Sequence, residues 1–438
     1  MRIVRVSGAS PVDHSGWRRT RILSWRRVAL AGAAILIPAG VATSALPAGG
    51  ADAAWTLQYT PSPTGALVNS LGAVSCVSAT ACEALGQTQS AGDAGAPFGE
   101  AWNGTAWTLQ TIPAVSGATF SGLPSLSCTS ANACTAVGAT TDGAGTQTLI
   151  SEQWNGTAWS MQPMAQPAGT QFQINSVSCP AANACEAVGV VVNGSAAPLA
   201  EFWNGTAWSI QPISSAGSLT AVSCSAANSC QAVGFGTAES WNGTAWTAET
   251  VPTPANTTGL TLFGVSCPSA NSCEAVGNAG IPASGPTNPG GEAVVASWNG
   301  NAWTSTGLTN PTGEQEAALN SISCTTAGSC EAVGSQDTQG NSFGVVTTLA
   351  ENWNGLSWSV DTTPAADISN LTSVSCAPTC EAVGDQTNTG PLPQSLPQMA
   401  EVKTTPLATT PPPTSGGGGL AGLLTDLLGL VTTLLGAL

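Results

Sequence analysis

Apolar and polar positions alternate along most of this chain in short runs, and the runs come in groups of four. One group comprises 125–128, 134–138, 149–154 and 158–162, most of them carrying Val, Ile, Thr or Trp. A period of two with β-branched and aromatic residues predicts short, half-buried β-strands. Two signatures punctuate each group. S-C-x5-C-x-A-V-G, or a close variant, joins the first two runs at Cys76/Cys82, Cys128/Cys134, Cys179/Cys185, Cys224/Cys230, Cys267/Cys273 and Cys324/Cys330, with a shortened copy at Cys376/Cys380. W-N-G-x-x-W joins the last two, between Trp102 and Trp107, Trp154 and Trp159, Trp203 and Trp208, Trp241 and Trp246, Trp298 and Trp303, and Trp353 and Trp358.

Successive first cysteines are 52, 51, 45, 43, 57 and 52 residues apart. Four strands in a repeat of that length is β-propeller spacing. The seventh Trp turn is missing, but the ends of the region supply its halves. Ala54-Trp55-Thr56-Leu57-Gln58 matches the segment after a turn, and Ala400-Glu401-Val402 matches the segment before one. The expected fold is therefore all-β: a seven-bladed β-propeller of four-stranded blades, closed by the N-terminal strand. Asn-Gly between the third and fourth runs predicts a tight hairpin, with the type I′ turn as its shortest form. The two flanking tryptophans then share one face of the ribbon and are expected to pack between blades.

The expected domains are a signal peptide at 1–53, the propeller at 54–403, a Thr/Pro/Gly linker at 404–419 and an amphipathic helix at 420–438. The first combines an Arg-rich start, an apolar run from Val28 to about Ala42 and an A-x-A site at Ala51-Asp52-Ala53. Arg26-Arg27 partly resembles a twin-arginine signal, whereas Trp25 and the 14 cysteines suit the general secretory route. The last places Leu at 420, 423, 424, 427, 428, 430, 434, 435 and 438, interleaved with Gly and Thr. It is expected to serve envelope attachment, self-association or membrane insertion.

Charge narrows the chemistry. Removing 1–53 takes away seven arginines, His14, Asp13 and Asp52, which leaves 22 acids against Lys403 alone. One lysine cannot neutralise a phosphate backbone, so nucleic acid is excluded as a partner. Without histidine there is neither a Ser/His/Asp triad nor a histidine zinc site. Cysteines beside a turn in an exported chain are expected to form the structural disulfides 76–82, 128–134, 179–185, 224–230, 267–273, 324–330 and 376–380. Each is expected to reinforce its own hairpin locally. Eleven acids fall into two recurring series. Glu83, Glu186, Glu274, Glu331 and Glu381 follow the second cysteine; Glu100, Glu152, Glu201, Glu239, Glu351 and Glu401 lie two residues before the Trp turn or its equivalent. Lacking basic partners, they must accept hydrogen bonds or hold cations, calcium being the one candidate cofactor.

The alternation of S-C-x5-C-x-A-V-G with A-E-x-W-N-G-T-A-W resembles the repeats of secreted bacterial β-propeller proteins, kelch-like or Asp-box-like in appearance, over about 54–403. Asn103 and its counterparts stand where an Asp-box has aspartate. The mature chain has no arginine and only Tyr59 as tyrosine, so the sialidase activity associated with Asp-boxes is not implied.

In a four-stranded meander the Cys and Trp turns lie at one end, and both are nearly constant in length. The other end carries loops of variable length, where recognition by a rigid scaffold is expected. The ligand-face candidates are Asp93, Phe98, Phe120, Asp142, Phe172, Phe263, Glu314, Glu316, Asp337, Phe343 and Asp385. The leading expectation is a non-catalytic secreted or surface-attached propeller that binds a protein or a glycan. Two alternatives are a glycoside hydrolase using two loop carboxylates and a structural component of the cell envelope.

Overall fold

A computed structural model describes residues 55–66, 68–89, 95–169, 171–213, 215–282, 290–338, 346–364, 368–386 and 398–403. Among them every regular element is a β-strand. The expected signal peptide, linker and C-terminal helix lie outside the described residues, as do Asp93 and Phe343.

After β1 (Trp55–Thr60) come β2 (Val68–Ser78), β3 (Ala81–Gln89), β4 (Gly95–Trp102) and β5 (Trp107–Gln110), paired antiparallel in that order. The pattern recurs in β6 (Ala118–Ser130), β7 (Ala133–Asp142), β8 (Gln147–Trp154) and β9 (Trp159–Pro163). It recurs again in β10 (Gln171–Ala181), β11 (Ala184–Asn193), β12 (Ser195–Trp203) and β13 (Trp208–Gln211). Then follow β14 (Leu219–Ala226), β15 (Ser229–Gly234), β16 (Ala238–Trp241) and β17 (Trp246–Glu249). The next two meanders are β18 (Thr258–Ser269), β19 (Ser272–Gly280), β20 (Gly291–Trp298), β21 (Trp303–Gly307), and β22 (Glu316–Thr326), β23 (Ser329–Asp337), β24 (Val346–Trp353), β25 (Trp358–Val360). The chain finishes with β26 (Ile368–Cys376), β27 (Cys380–Gln386) and β28 (Gln398–Lys403), and β1 completes that sheet against β28, Trp55 opposite Lys403 and Leu57 opposite Glu401.

The architecture is all-β and propeller-like, and its hydrophobic core sits between neighbouring meanders. Val137 and Leu149 of one cluster with Ile174, Val177, Trp203 and Trp208 of the next. Val383 near the end of the chain joins Leu71, Val74 and Trp107 near its start. Each meander thus leaves one face for a neighbour to cover, and burial of that apolar surface is the main cohesive term.

The motif residues make the joints. Within S-C, each serine hydroxyl accepts the backbone N–H of the first cysteine of the following repeat: Cys128 to Ser75, Cys179 to Ser127, Cys224 to Ser178, Cys267 to Ser223, Cys324 to Ser266 and Cys376 to Ser323, at 2.9–3.0 Å. Cys76 donates to Ser375 at 2.9 Å, so the series returns to its start. The glycine of A-V-G lies opposite a register shift in the inner strand, where the backbone approaches closely. A Cβ on Gly138, Gly189 or Gly277 would sit 1.9 Å from the carbonyl oxygen of Gly122, Gln173 or Thr261.

All seven expected disulfides are present. Each closes one short turn, a contribution of about 2.4 kcal/mol on the chain-entropy estimate. Each bridge is local to its hairpin, joining cysteines 4–6 residues apart, and the packing of the second sulfur adds to that role. The second cysteine of every pair is a core residue: Cys82, Cys134, Cys185, Cys230, Cys273, Cys330 and Cys380 are only 0–4% exposed. These cysteines open the second strand of each meander, which is covered on both faces, so its burial runs without alternation. Their sulfurs therefore belong to the packing between meanders. Cys134 clusters with Ala73 and Leu85 of the preceding meander, Cys185 with Val137 and Leu149, Cys230 with Val188 and Ala200, and Cys273 with Ala221 and Val233. Cys82 does the same with Val383 of the last meander. Such buried sulfurs stand outside any ligand site.

The Trp turns differ from the two-residue type I′ form. The last paired residues are the tryptophans themselves, which leaves a four-residue loop. Gly104 has φ of 91°, while Asn103 stays out of the left-handed region and uses its side chain instead. Its Oδ1 accepts from Thr105 N–H, Thr105 Oγ1 and Ala106 N–H at 2.7–3.0 Å. A side chain that satisfies three donors replaces the left-handed asparagine of the shorter turn.

Gly189→Ala is expected to destabilise the protein by about 1–3 kcal/mol through this overpacking, and Ser127→Ala by about 1 kcal/mol through a lost acceptor. Urea unfolding followed by tryptophan fluorescence measures both; equal stability of Gly189→Ala and wild type would contradict the close approach.

Candidate functional site

Inner strands begin at the variable-loop end, and each carries a one-residue bulge a few positions in. The bulged residue makes a second set of joints between neighbours. Asn175 Nδ2 donates to Leu219 O (2.7 Å), Thr220 Oγ1 to Leu262 O (2.6 Å), Asn320 Nδ2 to Leu371 O (2.9 Å) and Thr372 Oγ1 to Leu71 O (3.1 Å). In β2, β6 and β18 the shifts fall at Gly72, at Leu123-Pro124 and at Phe263, which have no side-chain donor. A cavity of about 700 Å³ opens where the first two, small or ring-closed, stand in neighbouring meanders.

Its wall comes from β2, β3, β6, β7, β8, β10, β11 and β26. Gly72, Gly122 and Pro124 form an apolar, short-side-chain floor. Around it stand amides and hydroxyls: Gln87, Gln147, Gln171, Gln173, Ser70 and Thr141. Two amides are pinned, since Gln87 Nε2 donates to Ser121 O (3.4 Å) and Gln147 Oε1 accepts Phe172 N–H (3.2 Å). Gln171 and Gln173 are exposed. Phe120 also lines the cavity with 43% of its surface exposed, while Phe172 beside it is buried. No carboxylate lines the cavity among the described residues.

Of the sequence candidates, the structure brings Phe120 and Phe172 together here. Asp385 stands behind the wall, where burial raises its carboxyl above the usual range while the hydroxyl of Ser70 bonds it. Phe98 is buried in the core against Gly86. Asp142 folds its own loop by accepting Ala144 and Thr146 N–H at 2.9 and 2.8 Å, which holds it below the usual carboxylate range. Phe263 meets Phe235 edge-on at 6.4 Å, away from the cavity. Glu316 and Asp337 are register partners, and Glu314 is raised by burial and then by Asp337. These three form an acidic group apart from the cavity. The glutamines were not among the candidates. The signal for them was the polar alternation of Gln171 and Gln173 at the start of an inner strand, where both line the cavity.

The recurrent glutamates are structural. Ten of the series have described side chains and are buried, from Glu100 at 0% exposure to Glu274 at 8%. Burial pushes Glu83, Glu100, Glu186, Glu201 and Glu381 up to about 8 and Glu152, Glu274 and Glu351 to about 7. Their partners are neutral: Gln110 Nε2 on Glu83 (3.3 Å), Gln211 Nε2 on Glu186 (3.1 Å), Ser297 Oγ on Glu274 (2.6 Å), Asn352 Nδ2 on Glu331 (3.1 Å) and Ala165 N–H on Glu201 (3.2 Å). No group of three or more acids able to hold a metal ion occurs among the described residues.

The same glutamines reach the tryptophans of the next repeat. Trp159 Nε1 donates to Gln110 Oε1 (2.6 Å) and Trp246 Nε1 to Gln211 Oε1 (2.5 Å), so at these two joints an indole, an amide and a carboxyl form one relay. The first tryptophan of each pair instead covers its own disulfide turn, as Trp102 Nε1 does at Ala79 O (3.1 Å), and lies 5.5–5.8 Å from its partner ring. One repeat exchanges the relay partners: Gln231 stands in the glutamate position and Glu249 in the glutamine position, and Ser240 bridges them.

No protein-family model and no curated protein sequence matches the chain. Among solved structures it overlaps with YCF48 bound to a D1 peptide (12% identity, TM-score 0.33, covering 82% of this chain and 97% of that one). It also overlaps with a mutant Aleuria aurantia lectin in complex with α-methyl-L-fucoside (12%, 0.41, 68% and 96%) and with the Aleuria aurantia lectin described as a six-bladed β-propeller with a novel mode of fucose recognition (13%, 0.38, 69% and 100%). TM-scores below 0.5 assign no residue, ligand or blade count to this chain.

The raised glutamates set a pH dependence. Their folded values of about 7–8 lie above the unfolded value of 4.5, so the folded state holds protons that the unfolded state releases. Their contribution is fully present below pH 4.5 and is lost as pH rises through 7–8. Calorimetry is expected to give a melting temperature several degrees lower at pH 8.5 than at pH 5, with a shallower fall in Glu100→Gln. A melting temperature that rises from pH 5 to 8.5 would contradict neutral glutamates.

Proposed function

We propose that the meanders are the seven blades of a closed β-propeller spanning about 54–403, exported after loss of 1–53. In this reading it is a non-catalytic binding protein that takes a neutral saccharide unit of a glycan in the variable-face cavity. The disulfides suit an oxidising, extracellular or envelope location.

The observation that carries the ligand class is the composition of the cavity wall. An exposed phenyl ring beside unpinned amides and hydroxyls, with no charged group, matches the apolar ring face and hydroxyl edge of a neutral sugar. Amides both donate and accept, as each sugar hydroxyl does. A charged ligand would find no counter-charge in this wall. Two-carboxylate glycoside hydrolysis needs acids roughly 5–10 Å apart flanking the bond. No carboxylate lines the cavity among the described residues, so binding is favoured over hydrolysis. Calcium has no place in this reading.

The test is a neutral-glycan array followed by titration calorimetry on hits, with product analysis for hydrolysis. Phe120→Ala and Gln173→Ala are each expected to weaken binding at least about tenfold, the loss of one good contact, with unchanged melting temperature and no released sugar. Glycans that are cleaved, or whose binding ignores both substitutions, would overturn the proposal.

A further inference from the structure

A second groove, of about 500 Å³, runs along the outer rim between β21 and β25. Leu308, Trp358, Leu356 and Val360 give it an apolar lining, edged by Thr304, Thr306 and Ser359. Leu356 is 80% exposed and Val360 51%.

Exposure at Val360 has precedents on other outer strands, where Leu109, Met161 and Ile210 are also exposed. Leu356 has none. The equivalent Trp-turn position holds Thr105, Thr157, Thr206, Thr244 and Asn301. Each of those threonines donates its Oγ1 to the turn asparagine at 2.7 Å. Leu356 keeps only the backbone bond to Asn354 Oδ1 (2.9 Å), so it forgoes a hydrogen bond and leaves a large apolar side chain uncovered. Ser357, which stands where the other turns have alanine, accepts from Asn354 Nδ2 at 3.5 Å, but this leaves the Leu356 side chain uncovered.

The chain carries a segment of matching chemistry. Residues 420–438 hold nine leucines and Val431, with Thr425, Asp426, Thr432, Thr433 and small Gly and Ala residues between them. Their tether starts in the right place. Lys403 pairs with Cys380 as Trp353 pairs with Cys330, so the main chain leaves the last sheet at the Trp-turn end, where Leu356 lies in the adjacent meander. Residues 404–419 can span up to about 50 Å when extended, and a tether of that length raises the local concentration of the segment to the millimolar range.

We propose that residues 420–438 dock in cis on the rim groove, leucines covering Leu356, Val360 and Leu308. The C-terminal segment is then an internal cover for the groove, not an anchor to envelope or to another copy.

Hydrogen exchange with mass spectrometry on the full mature chain tests this, at two protein concentrations and beside size-exclusion chromatography. In the monomer, peptides from 420–438 are expected to be protected at least about tenfold. Leu356→Thr, which restores the turn of the other repeats and so preserves folding, is expected to abolish that protection with the melting temperature unchanged. Deleting 416–438 is expected to speed exchange in the 353–360 peptide. Free exchange of 420–438 in the wild-type monomer, protection that survives Leu356→Thr, or protection confined to concentrations where dimers form would each overturn the proposal.

Discussion

The bond from each first-cysteine N–H to the serine hydroxyl one repeat back is the constraint on which the rest depends. It holds seven inner strands side by side with no sheet connecting them all, and it leaves no end because Cys76 finds Ser375. An inner-strand amide left unpaired in this crowded centre would incur the desolvation cost of a buried donor. The serine satisfies it and fixes the offset between neighbours at the same time. The apolar clusters then fall between meanders because the strands already stand at that offset. β1 supplies the fourth strand of the last sheet, and its Trp55 packs with Val333 and Ala350 of the preceding meander as the other second tryptophans do.

Electrostatics follow from what the chain lacks. A protein with one lysine after its first 53 residues cannot pair its acids with bases, so the blades bury them beside amides and hydroxyls and their protons stay on. Gln110 and Gln211 serve both sides of a joint, accepting from an indole with one end of the amide and donating to a carboxyl with the other. In one repeat Gln231 and Glu249 exchange the two positions, and Ser240 bonds to both.

Much of the fold was legible in the sequence because it is repeated. The cysteine pairs, the four runs per repeat and the split hairpin at Trp55 and Glu401 are visible as spacing alone. Spacing pairs Cys128 with Cys134 but does not tell that the second sulfur is buried against the preceding meander, because the covering residues lie a repeat away. The roles of Ser75 and Gly138 were not legible either, since neither small residue carries a periodic or charged signature, and each acts through a backbone atom of another strand. The cavity was harder still. Phe120 stood out as a large ring near a variable loop, but Gln87, Gln147, Gln171 and Gln173 come from three meanders and carry no charge or metal-binding character to draw attention. Acidic candidates such as Asp142 turned out to be occupied with their own loops.

The gap at Gly72 and Pro124 carries an implication for how such arrays diversify. A closed series of equivalent units has no intrinsic address, yet two successive bulges that offer neither a donor nor a large side chain distinguish one sector from the others while every Ser–Cys joint stays in place. Individuality here is written by subtraction. A lineage could shift its recognition pocket around the ring by moving a glycine or a proline from one bulge to another, with the load-carrying frame untouched.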